Sequence, residues 1–136
     1  GAIAMAVRWL GRAVVSRDRV DNVLNMAICL DALSSTSELG GDQNSSGRTK
    51  WGHLAALVSG CPEPQKDMKD GEGAKAVGFA KELYDMRSAV VHGGKKDVTK
   101  VTAARFEWFA FMSLLKAAEK AEERVEAAKK VGLEAQ

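Results

Sequence analysis

Two pairs of side chains in this chain place a guanidinium five positions ahead of an imidazole: Arg87 with His92, and Arg48 with His53. A cation beside a titratable ring can act on a phosphodiester without a metal, because one stabilises negative charge and the other moves protons. Their surroundings separate the two pairs. Arg87 and His92 lie in Leu83-Tyr84-Asp85-Met86-Arg87-Ser88-Ala89-Val90-Val91-His92-Gly93-Gly94, at the end of an apolar-periodic run that two glycines stop. Arg48 leaves a Gly/Ser loop, and His53 enters a short helix beside Trp51, Leu54 and Leu57. That is an ordinary loop-to-helix junction, and the second pair is set aside.

The elements that must position Arg87 and His92 are all helical by pattern. Residues 2–16 carry a stripe of Ile3, Val7, Leu10 and Val14. Residues 17–39 read as a second helix with Val20, Val23, Leu24, Ala27 and Leu30 on its apolar face, and Asp21, Asn22, Asn25 and Cys29 opposite. A Gly/Ser/Asn loop over 40–47 leads to a shorter helix over about 49–59, and a loop rich in Gly, Pro and charge covers 60–73. The motif helix spans 74–92, with Phe79, Leu83, Met86 and Val90 as its core face. The last helix starts near Val98 and is apolar around most of its girth between Val101 and Leu115, which predicts a place in the middle of the bundle. From Lys116 it turns into an Ala/Glu/Lys pattern that suits a solvated tail or contact with a neighbour.

The expected fold is all-α: an antiparallel helical bundle of four long helices plus one short helix. It forms one domain over residues 1–136, with a core over about 1–115 and a charged helical tail over about 116–136. The opening glycine suggests either processing or a domain cut from a longer protein.

Composition narrows the function. A net charge of +2 is too small to signal nucleic-acid binding through bulk electrostatics, so any RNA site must be a local patch. No apolar run approaches membrane-spanning length, and the N-terminal residues do not form a secretory signal. Cys29 and Cys61 are the two cysteines, with no CxxC or paired histidines to support a zinc site, so no metal or other cofactor is expected. A reduced, cytoplasmic protein fits this cysteine usage better than a disulfide-bonded one.

Helical geometry places the chemistry-bearing residues. On the motif helix His92 falls about 150° from the centre of the core face, near Asp85 and Ser88, while Arg87 borders the core at about 70°. His92 should therefore face solvent or a second chain. It also suits a simple C-terminal cap, where the helix dipole favours imidazolium. Asp31 falls near the centre of the apolar face of its own helix, where an acid needs a cation or several donors. Arg87 is the expected partner and Arg105 the competitor. Such a pair would orient the guanidinium and leave its outer edge for phosphate, or else serve packing alone.

The segment from Leu83 to Gly94 resembles the signature of the HEPN superfamily, and within it the Apea-like HEPN domains, whose segment reads much like Tyr-Asp-x-Arg-Ser-x-x-Val-His-Gly. The resemblance extends to Asp18 through Leu33, which looks like the family's second helix, and to Ser37-Glu38-Leu39. It covers roughly residues 1–115. Asp31 stands where glutamate is more usual, and Ser88 where active members often carry Asn, Asp or His.

The resemblance implies a homodimer whose two motif helices face each other, and a metal-independent endoribonuclease with Arg87, His92 and Ser88 at the catalytic positions. Tyr84 and Asp31 would support them, and Lys95, Lys96 and Lys100 would guide the RNA backbone. Toxin–antitoxin and phage-defence settings come with the family, and with them an antitoxin or a fused domain as further partners. Two other readings stand beside this one. The domain is a silent dimerisation or RNA-sensing module of a larger protein, or it is a helical interaction module.

Overall fold

The structure is a computed structural model that describes residues 1–64, 70–94 and 97–134. It contains α1 (Ala2–Val15), α2 (Arg19–Ser34), α3 (Ser37–Gly40), α4 (Gly47–Val58), α5 (Gly71–His92) and α6 (Lys100–Glu134), with no strand among the described residues. The all-α bundle is as expected, but the count differs. The expected second helix is two elements, because three hydroxyls end it early. Ser34, Ser35 and Thr36 each donate back to a carbonyl three residues earlier, those of Asp31, Ala32 and Leu33. Side chains that bond back to the helix in this way compete with its continuation. The chain then makes the single turn of α3.

Capping sets the other boundaries. The Asp18 carboxylate accepts from the Val20 amide at 3.0 Å and starts α2. Ser46 Oγ accepts from the Thr49 amide at 3.2 Å and starts α4. Thr99 Oγ1 accepts from the Thr102 amide at 3.1 Å and starts α6. At the other end of the motif helix, Gly93 caps α5 and Gly94 takes a left-handed φ of 65°, the stop expected of that glycine pair.

Two antiparallel hairpins, α1 with α2 and α4 with α5, pack together, and α6 crosses mainly α2. The α4–α5 pairing runs Gly52 against Val77 and Arg48 against Asp85. At the centre lies Trp51, with edge-on contacts to Tyr84, Phe106 and Phe109 at centroid distances of 5.1, 6.2 and 6.1 Å. Leu30, Leu33, Leu54 and Val23 close around it, all fully buried.

Three expected faces are corrected. On α1 the buried line is Ala6, Leu10 and Ala13, while Val7 and Val14 are exposed. The small alanines let α1 and α2 approach closely, and the bulkier valines are turned outward. On α2, Cys29 is fully buried and not opposite the core. That helix touches every other element, so two of its sides are covered. α6 is not the central helix. It buries Phe106, Phe109, Ala110, Ser113 and Ala117, and leaves Val101, Trp108, Phe111 and Leu115 exposed. Its wide apolar girth exceeds what the bundle covers. Beyond residue 121 the tail is exposed on all sides, tied back by the Arg124–Glu38 ion pair.

Candidate active site around Arg87 and His92

The last three turns of α5 carry Tyr84, Asp85, Arg87, Ser88 and His92. Arg87 faces α2. Its Nη2 donates to Asp31 Oδ2 at 3.0 Å, which is the partner expected from the face of α2; Arg105 is exposed on α6. The other carboxylate oxygen, Asp31 Oδ1, accepts from the indole Nε1 of Trp51 at 2.9 Å. A carboxylate between a guanidinium and a buried indole has both oxygens engaged, which offsets the cost of half-burying its charge. The Arg87 guanidinium also lies over the Tyr84 ring, 5.2 Å from its centroid, and the same ring meets Trp51 edge-on.

Three side chains from three helices therefore orient one guanidinium. Asp31 sets its direction, Tyr84 its plane, and Trp51 anchors Asp31 from the core. Arg87 Nε and Nη1 make no hydrogen bond to any described residue. A fork fixed on one edge and open on the other is suited to an oxyanion.

His92 is the last residue of α5 and is exposed, in keeping with its expected distance from the core face. Its ring bonds to no described residue. Ser88, one turn back on the same side, is half-buried. Arg87 and His92 are separated by about 140° around the helix and roughly 7.5 Å along it, so one protomer does not present both on one face. Beyond His92 the chain is held by Val98, which is buried and whose carbonyl accepts from Arg19 Nη1 at 3.0 Å. Lys100 is exposed at the first turn of α6. Lys95 and Lys96 lie outside the described residues.

Two residues with parts in this arrangement are not among the site residues expected from the sequence. Trp51 read as a flank of a junction, yet it holds Asp31; its place in an apolar run beside Leu54 was the available signal. Arg48 was set aside with His53, yet it grips the motif helix. Its Nε donates to Asp85 Oδ1 at 2.9 Å and its Nη2 to Asp85 Oδ2 at 3.2 Å. A two-pronged contact of this kind fixes the end of α4 against α5. His53 lies elsewhere, with Nδ1 3.0 Å from the Leu39 carbonyl oxygen.

Among the described residues no three His, Cys, Asp or Glu side chains cluster as a metal site. No described helix is long and apolar enough to cross a membrane. No family model, curated protein or solved structure matches this chain.

Proposed function

We propose that this chain is a HEPN-type domain that works as a homodimer and cuts RNA without a metal, in a toxin–antitoxin or phage-defence setting. The observation that carries this reading is Arg87. It is clamped by Asp31 and stacked on Tyr84, with its outer edge open, on the helix whose exposed end bears His92. In the proposed reaction a ribose 2′-hydroxyl attacks the adjacent phosphorus, leaving a cyclic phosphate and a 5′-hydroxyl. His92 moves the proton, Arg87 stabilises the charge that builds on the phosphoryl oxygens, and Ser88 orients ring or substrate. RNA and not DNA is the substrate because the attacking group is the 2′-hydroxyl. Two unpaired thiols suit a reducing cytoplasm.

The angular separation of Arg87 and His92 bears on how the site would assemble. A site that needs both side chains is composed from two protomers, so the homodimer is part of the proposal. The same observation supports the second reading, a silent HEPN dimerisation or RNA-sensing module of a larger protein, where His92 is only a helix end.

Purified protein incubated with RNA in chelator decides between them. We expect products with cyclic phosphate and 5′-hydroxyl ends, DNA of the same sequence uncut, and a loss of about 100-fold or more in both His92→Ala and Arg87→Ala. Cleavage surviving in His92→Ala overturns the catalytic assignment. A dimer that cuts no RNA supports the silent module.

A further inference from the structure

The side of α5 that bears His92 continues back through Ser88 and Asp85 to Lys81, roughly 16 Å along the helix axis. There it borders a cavity of about 190 Å³ between α4, α5 and the connection from α3 to α4, with Gly41, Asp42, Thr49, His53, Val77 and Lys81 in its walls. The Arg48–Asp85 pair stands on that same side of α5, between this cavity and His92, with the Arg48 side chain nearly half exposed.

The cavity walls are held in place by their own bonds. Gln43 Nε2 donates to the carbonyls of Ser34 at 3.2 Å and Gly41 at 3.0 Å, pinning the connection to the end of α2. Asp42 Oδ1 accepts from the Asn44 amide at 2.9 Å. Gly41, with φ of 73°, lies against the imidazole, and a Cβ there would come within 2.7 Å of His53 Cδ2. The backbone can approach the ring this closely only as glycine.

Polar groups of both kinds meet at this cavity. The Leu39 carbonyl can only accept, so His53 Nδ1 donates to it and Nε2 is the ring nitrogen left for a ligand. Lys81 contributes an ammonium that pairs with no described residue. Asp42 adds an acceptor, while Val77 and bare glycine backbone supply apolar wall. The volume is below the roughly 300 Å³ at which pockets take whole small molecules, so one flat ring system fits and the rest of its molecule stays outside. A small chamber with apolar walls and mixed donors and acceptors at its edge is suited to an unstacked base.

We infer that this chamber seats one nucleobase of the RNA strand, a few nucleotides from the phosphodiester handled at Arg87 and His92, and gives the chain its base preference. This inference rests on the RNA-directed reading of the Arg87 site. Lys81 supplies a cation at the edge of the chamber, on the side of α5 that leads to His92.

The test is an NMR titration of the full chain with each of the four ribonucleoside monophosphates. One base is expected to shift the Gly41, Thr49 and His53 resonances more than the others. Val77→Phe, which fills the chamber, should abolish those shifts, and His53→Ala should weaken binding about fivefold, the equivalent of one hydrogen bond. Lys81→Met, which removes the ammonium from the wall but keeps a side chain of similar length, should weaken the same shifts. His92→Ala should leave the shifts unchanged. Equal response to all four nucleotides, or native binding by all three chamber variants, overturns the inference. Base-selective shifts without any RNA cleavage sink the nuclease reading alone, and cleavage without base-selective shifts sinks the chamber alone.

Discussion

Asp31 is the residue on which the candidate site turns, because one carboxylate answers two donors of different origin. Asp31→Ala leaves the buried Trp51 indole N–H without an acceptor and Arg87 without its counter-ion. We expect a loss of about 2 kcal/mol by urea denaturation, and a smaller one for Asp31→Asn, which keeps an oxygen for the indole. Equal losses in the two variants would contradict the assigned contact. Cys29 offers a separate check on the core. Burial pushes its thiol up to about 12 from the ordinary 9.0. A thiol raised in this way contributes its stability in full below the unfolded value of 9.0 and loses it as pH rises toward about 12. Near pH 8, a thiol reagent should modify Cys61 in the native protein and Cys29 only after unfolding.

At the scale of elements, the site depends on where α2 stops. Had that helix run on to Leu39, the connection that walls the chamber would not turn back over α4. The turn requires glycine at position 40, since a Cβ there would sit 1.8 Å from the Ser34 carbonyl oxygen. Gly40→Ala must therefore displace backbone, and thermal or urea unfolding should show a loss of about 3 kcal/mol. A near-native melt would mean that the end of α2 lies elsewhere. The pairing of α4 with α5 matters equally. The Arg48–Asp85 contact and Trp51 both enter from α4, so this short helix braces the motif helix on one side while Asp31 of α2 holds it on another.

For the whole molecule, the surface left over is informative. Val101, Trp108, Phe111 and Leu115 form an exposed apolar line on α6, and His92 projects from the end of α5. Apolar area of this kind on a small domain commonly marks contact with another chain. The proposed homodimer predicts a light-scattering mass of twice 14.6 kDa at micromolar concentration. A monomer under those conditions removes the composite site, because Arg87 and His92 of one chain point different ways.

Much of this was legible in the residue order. The all-α class, the glycine stop after His92, the outward position of that imidazole and the Asp31–Arg87 pairing all follow from periodicity and the cost of placing an acid on an apolar face. These are local properties, set by a 3.6-residue repeat and by the chemistry of neighbours along one helix. What only the tertiary structure decided is how the helices share the interior. Alanine and not valine faces inward on α1, Cys29 is buried, α2 and not α6 is the central element, and Trp51 and Arg48 reach the motif helix. Each of these depends on which surfaces meet, and meeting surfaces are chosen by shape and volume between segments far apart in the chain.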